Sequence, residues 1–158
     1  MTLVLFLTLC VFAITVFAMM PKALSATDNV ILLCSNSIVF VSYSTLISLN
    51  WGILTNTKHP ELFVSFILAR SILLQLTMLF QANGFLFCKT AYGKAFVFLL
   101  TLAVMEGLLI LGKAVKIVDY PNWYAAVSIM VYAAFLSLST VVGIVLNRSN
   151  VEGVTAGK

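Results

Sequence analysis

Residues Leu100–Lys113 read LTLAVMEGLLILGK and place one carboxylate, Glu106, inside an apolar run. A helix that crosses a bilayer needs ~20 mostly apolar residues, and this run, extended back to Ala95, is about long enough. The chain carries four more such segments, and the predicted spans are 2–20, 30–54, 62–83, 95–112 and 123–146, followed by a polar tail at 147–158. The sequence therefore predicts an all-α fold, a polytopic integral membrane helix bundle of about five transmembrane helices in a single transmembrane domain.

The composition excludes a large water-facing surface. Of the 158 residues, 62% are hydrophobic and 9% are charged, whereas soluble domains carry roughly 25% charged residues. The net charge of +4 comes from Lys and Arg that are scattered over the loops without a basic run, so nucleic acid is not an expected partner. The expected partners are the lipid bilayer and other integral membrane subunits or copies of the same chain.

The first segment is predicted to be a retained helix rather than a signal peptide. No Lys or Arg precedes it, and its apolar core is longer than the roughly 7–15 residues usual for a signal. If it were removed, four helices would remain.

Positive charges favour the cytoplasmic side, and five Lys or Arg on one side against three on the other favour an outside N-terminus and an inside C-terminus. The two sets are Lys22, Lys89, Lys94, Arg148 and Lys158, against Lys58, Lys113 and Lys116.

Two charged residues fall within predicted spans, Arg70 in the third and Glu106 in the fourth. A charge at the bilayer centre costs at least about 2.5–3.5 kcal/mol, so such residues face a partner or a cavity. Both lie 18 residues from Cys88, near the centre of the intervening turn. Equal distances in an antiparallel hairpin place them at similar depth, which predicts an intramembrane Arg70–Glu106 pair. Alternatively Glu106 stands alone, neutral near pH 7 and able to exchange a proton or a cation.

The segment VMEGLLILGKAV around Glu106 resembles the carboxylate-bearing helix of rotary-ATPase proteolipid subunits, and KHPELF resembles the polar loop of that family. The resemblance implies that Glu106 is an ion-carrying carboxylate. It covers about 20 of the 158 residues. The Gly-rich inner helix of the family has no counterpart, because Val30–Leu54 contains only Gly52 and the third span carries Arg70 and Gln75 rather than an acid.

The second span has a polar face. Asn36, Tyr43 and Asn50 are spaced seven residues apart, close to two helical turns, and so share one side of the helix. Gln75 adds an amide within the third span. One interpretation is a polar lining for a pore or a substrate path. The other is hydrogen bonding between helices, worth about 0.6–2 kcal/mol per contact.

No catalytic motif is found in the sequence, and neither a cofactor nor a metal site is predicted. Short loops and the lack of a soluble domain favour a small integral membrane subunit that packs in and stabilises a larger membrane protein complex. The alternative is a channel or transporter subunit that translocates ions or protons with Glu106 as its membrane-embedded carboxylate. A membrane enzyme is the third and least favoured class.

Overall fold

The structure, a computed structural model, describes residues 1–50, 53, 55–56 and 59–156. Five helical segments in this part of the chain are long and apolar enough to cross a membrane, which confirms the all-α fold class and is consistent with a multi-pass integral membrane protein. The α-helices are α1 (Thr2–Met19), α2 (Ala26–Thr45), α3 (Pro60–Leu68), α4 (Leu74–Phe87), α5 (Ala91–Ala114) and α6 (Tyr124–Ala156).

Two helices begin four residues before the predicted spans. Helix α2 starts after Ser25, whose hydroxyl accepts a bond from the Asp28 backbone N–H while the Asp28 carboxylate accepts one from the Ser25 backbone. Helix α5 starts after Thr90, whose hydroxyl accepts a bond from the Gly93 backbone N–H. These caps satisfy free N–H groups of a polar first turn, which hydropathy alone does not register. Helix α6 continues through most of the predicted polar tail.

Two short π-helical turns interrupt the regular geometry. One, Leu46–Asn50, continues α2, and the other, Ala69–Leu73, joins α3 to α4 into one span. A π turn holds one more residue than an α turn, and such turns are frequent at functional sites. The predicted second span extended to residue 54, and residues 51, 52 and 54 lie outside the described residues.

Helix α4 lies at the centre of the bundle, where it contacts α2, α5 and α6. The backbones of α4 and α6 approach closely at Gly143, where a Cβ would lie 3.3 Å from that of Ala82. Helix α1 packs on the outside against α3 and the Ala69–Leu73 turn. Most of its surface is exposed outside the bundle, as expected for a helix that faces lipid.

A two-residue antiparallel ribbon closes one end of the bundle. Strand β1 (Thr55–Asn56) pairs with β2 (Val118–Asp119), which lies in the connection between α5 and α6. The side chains of Ile117 and Val118 are buried below it. The ribbon therefore ties the α2–α3 and α5–α6 connections together over the helix ends.

Candidate functional site

Polar side chains follow the centre of the bundle along α4. Asn83, Gln81 and Gln75 of this helix are fully buried, and Arg70 lies in the π turn that precedes it. At ~1.5 Å rise per residue, the 13 positions from Arg70 to Asn83 extend over ~20 Å, a large part of a ~30 Å hydrocarbon core. We call this series, with its hydrogen-bonded partners on α2, α5 and α6, the polar axis.

One end of the polar axis is an asparagine pair. The Asn83 amide nitrogen donates to the Asn29 side-chain oxygen at 2.7 Å, and the Asn83 oxygen accepts from the Leu24 backbone N–H at 3.2 Å. Asn29 in turn donates to the carbonyls of Leu24 and Ser25. All polar groups of this end are thus engaged, and the pair fixes the connection between α1 and α2 against α4.

The middle of the polar axis joins α5 and α6 to α4, and beside it α2 is joined to α6. Thr101 of α5 donates to the Gln81 side-chain oxygen at 2.8 Å, and the Gln81 nitrogen lies 3.4 Å from the Thr140 hydroxyl of α6. Nearby, Asn36 of α2 donates to the Ser139 hydroxyl at 2.9 Å. These contacts are the interhelical hydrogen bonds typical of membrane bundles.

Gln75 differs from the other amides of the polar axis. Its side chain is fully buried, and neither its nitrogen nor its oxygen has a hydrogen-bond partner in the described part of the chain. A buried amide without partners is costly, and a water molecule or an ion is one of the partners that such a group can have in a native interior. Gln75 therefore has two N–H donors and one carbonyl acceptor without partners between the middle of the axis and Arg70.

Glu106 of α5 is held by one hydroxyl. Ser128 of α6 donates to Oε2 at 3.0 Å, whereas Oε1 is buried and has no partner within the described residues. Burial raises the pKa of Tyr120, which lies in the α5–α6 connection, and the nearby Glu106 carboxylate raises it further. The carboxyl group thus lies near Ser128 and Tyr120, toward the ribbon end of the bundle, with one oxygen that makes no hydrogen bond within the described residues.

Arg70 lines a cavity of about 70 Å³ at the same end. Its Nη1 donates to the Ser44 hydroxyl at 3.3 Å, its Cζ lies 5.4 Å from the centre of the Phe66 ring, and its Nε is buried without a partner in the described part. Tyr43, Tyr124 and Tyr132 bring further polar atoms to the wall, and Ile117 and Val118 below the ribbon also line it.

Arg70 and Glu106 do not form the predicted pair in this structure, because each bonds a different serine. The reason is the register of the helix hairpin. Thr101 faces Gln81, so the two helices are symmetric about residue 91 rather than Cys88. This shift places Gly112, not Glu106, opposite Arg70 in the cavity wall, a displacement of six residues or ~9 Å along α5.

The predicted polar face of α2 is only partly brought together. Asn36 is buried against Ser139, and the Tyr43 hydroxyl lies 3.2 Å from that of Tyr124, so both residues face α6. Asn50 is exposed. The π turn Leu46–Asn50 accounts for the difference, because one extra residue within the turn rotates its last position, Asn50, by about 100° relative to a regular α-helix.

Several residues of the polar axis, and Ser128 beside Glu106, were missed in the sequence. Ser128, Thr101 and Thr140 are ordinary hydroxyl residues of apolar segments, and nothing in their spacing separates them from hydroxyls that bond their own helix. Asn29 and Asn83 fell just outside or at the limit of predicted spans. The position of Asn29 and Asn83 near the ends of predicted spans was the one indication in the sequence. An amide at such a position can be buried in the bundle instead of lying at the membrane interface.

No group of three or more His, Cys, Asp or Glu side chains that could hold a metal ion is found among the described residues. Comparisons of the chain with protein-family models, with curated proteins and with solved structures find no match. The chemical groups of the site are a carboxyl with one unbonded oxygen, an unpaired guanidinium edge and a series of buried amides and hydroxyls.

Proposed function

We propose that this chain translocates protons or small ions across the membrane, with Glu106 as the membrane-embedded carboxyl. The observation that carries the proposal is that Glu106 is not neutralised by Arg70 and keeps a buried oxygen without a partner in the described part. A carboxyl that only stabilised the bundle would be expected to have both oxygens bonded, because a buried unpaired acceptor is costly. A free oxygen is what an ion-exchanging carboxyl needs.

The polar axis supports a route for the translocated ion. Between the Arg70 cavity and the asparagine pair, the bundle interior carries the unpaired amide of Gln75 and the hydroxyls of Thr101 and Thr140. Ionisable and polar residues that face a bundle interior mark ion pathways and proton relays in membrane proteins. In the proposed mechanism, Glu106 takes up a proton at the ribbon end and releases it toward the amides, with water molecules bridging the groups.

Flux through purified protein tests this proposal. The protein is reconstituted into potassium-loaded vesicles that contain a pH-sensitive dye, and valinomycin sets a membrane potential that drives proton entry. We expect a protein-dependent flux that Glu106→Gln reduces to the rate of protein-free vesicles. Ser137→Ala is the matched control, because Ser137 is exposed and its hydroxyl bonds only Ala133 of its own helix.

Two results would overturn the proposal. A wild-type flux no faster than protein-free vesicles, for protons and for sodium or potassium, excludes translocation by this chain alone. A Glu106→Gln flux equal to that of the wild type excludes Glu106 as the carrier. Size-exclusion profiles and helical content of each variant, measured on the same preparation, separate a loss of flux from a loss of fold.

A small integral subunit of a larger complex is the second candidate. One face of α5 favours it: Ala103 and Gly107 are exposed there, and a Cβ at Gly107 would meet nothing within 4 Å. Small residues four apart let another membrane helix approach closely. Replacement of Gly107 by Leu would then release partner polypeptides from the protein extracted in mild detergent, as seen by native mass spectrometry. Unchanged composition would count against this candidate.

A further inference from the structure

The guanidinium of Arg70, which lines the cavity, has an edge without a hydrogen-bond partner in the described part of the chain. Nη1 is engaged by Ser44 at 3.3 Å, while Nε and Nη2 have no hydrogen bond within the described residues. These two nitrogens lie on one side of the planar group and present two parallel N–H bonds. The two oxygens of a carboxylate match such an edge in a bidentate arrangement.

A second donor is available among the residues that line the cavity. The hydroxyls of Tyr43 and Tyr124 lie 3.2 Å apart, and either can donate to the other. Two hydroxyls bring two hydrogens, and the bond between them uses one. The remaining O–H has no partner among the described side chains, and both tyrosines line the cavity. A third hydrogen bond to a bound anion is therefore possible without breaking a bond that already exists.

The size and the walls of the cavity limit the ligand. A water molecule needs ~10–15 Å³ of such volume, so about 70 Å³ admits roughly five non-hydrogen atoms. Arg70 is the only charged residue among the described residues of the wall, which favours a single negative charge. Phe40, Phe66 and Leu108 make part of the remaining wall, and such a surface suits a short alkyl group.

The position of Arg70 within a membrane span also favours a bound anion. An arginine at membrane depth is stable when it is paired or reaches water, and a buried charge with one partner missing is strongly destabilising. Glu106 does not supply the counter-charge, since it is held by Ser128. A bound anion would supply it and would occupy the unused guanidinium edge at the same time.

We propose that the Arg70 cavity is a binding site for a monocarboxylate. The carboxylate lies on the Nε–Nη2 edge of Arg70, the spare tyrosine hydroxyl donates to one of its oxygens, and its alkyl part lies against the phenylalanine rings. The ligand is a small free acid, or the head of a fatty acid whose chain leaves the cavity between the helices. This binding does not depend on ion translocation.

Equilibrium binding to the purified full-length protein tests the proposal, by scintillation proximity with radiolabelled propionate and, separately, radiolabelled oleate. We expect saturable binding of at least one acid, weakened at least tenfold by Arg70→Met and less by Arg70→Lys. Arg148→Met is the matched control, because Arg148 is an exposed arginine at the far end of α6, and it should bind as the wild type does. Propionamide, which has the same size without the charge, should not compete.

Each outcome decides the proposal. Binding of propionate identifies a small acid, and binding of oleate alone identifies an acyl chain from the membrane. No saturable binding of either acid to folded wild-type protein overturns the site, and so does an Arg70→Met affinity equal to that of the wild type. Glu106→Gln should abolish the proposed proton flux and retain propionate binding, so that failure of the site and failure of the translocation proposal give different results.

Discussion

The hydroxyl of Thr101 donates to the Gln81 side-chain oxygen at 2.8 Å and thereby joins α5 to α4 at the centre of the bundle. The same hydroxyl also lies within bonding distance of two carbonyls of its own helix, those of Val97 and Phe98. Gln81 has no such local alternative, and its nitrogen is directed to Thr140 on α6. Loss of the contact to Thr101 would therefore leave the Gln81 side-chain oxygen without a donor, whereas loss of Gln81 would leave Thr101 bonded to its own helix.

This contact predicts a coupling energy between Thr101 and Gln81 in a double-mutant cycle. Thr101→Val should lower the free energy of unfolding by about 1 kcal/mol, because it leaves the buried Gln81 oxygen without a donor. In a Gln81→Leu background the same change should cost close to nothing. Thermal unfolding in detergent, followed by circular dichroism, measures both. Thr15→Val is the control, since Thr15 is exposed and bonds only its own helix; equal losses in the two backgrounds would exclude the coupling.

The register set by this contact also explains which features could be read from the sequence. Five apolar segments in a chain with 9% charged residues permit few folds other than a membrane bundle, so the fold class followed from composition. The relative depth of Arg70 and Glu106 in the bundle did not follow from composition. It depends on which residues of α4 and α5 face each other, here Gln81 with Thr101, and hydropathy carries no information on that choice.

The π turns also limit what residue spacing can predict about the faces of a helix. A seven-residue spacing predicts a common face only while the helix keeps 3.6 residues per turn. Asn36 and Tyr43 lie within regular α2 and do face the same neighbour, whereas Asn50 is the last residue of the irregular turn and is exposed. Polar spacing was thus informative for the part of the helix with regular geometry.

The asparagine pair is predicted to hold the α1–α2 connection in place. Asn83→Leu removes the acceptor for the Leu24 backbone N–H and the donor to Asn29, and unsatisfied buried groups cost about 1–3 kcal/mol. We expect a lower melting temperature and faster proteolysis at Lys22. Asn50→Leu, at an exposed position, is the control. Proteolysis at the wild-type rate in Asn83→Leu would mean that the connection is held by other contacts.

Two glycines of the bundle should respond oppositely to the same substitution. A Cβ at Gly143 would lie 3.3 Å from the Ala82 Cβ, which cannot move without its backbone, whereas a Cβ at Gly107 would meet nothing within 4 Å. Gly143→Ala should therefore force α4 and α6 apart and destabilise the protein. Gly107→Ala should be neutral or stabilise it by up to about 1 kcal/mol, because alanine favours the helix. Melting temperatures of the two variants provide the test, and a larger loss for Gly107→Ala would contradict the packing described here.

Lys116 lies two residues after the end of α5 and has a backbone conformation that suits glycine. Its φ is 58°, its backbone N–H donates to the Lys113 carbonyl, and the next N–H, of Ile117, donates to the Gly112 carbonyl. This is the bonding pattern of a Schellman motif, in which the left-handed position is usually glycine. Lys116→Gly should raise the free energy of unfolding by about 0.5–1 kcal/mol, because it removes the steric cost of a Cβ at positive φ. Lys116→Ala removes the same charge and keeps the Cβ, so it should give no such gain. Equal stabilisation by the two substitutions in thermal unfolding would assign the effect to the lost charge instead of the backbone.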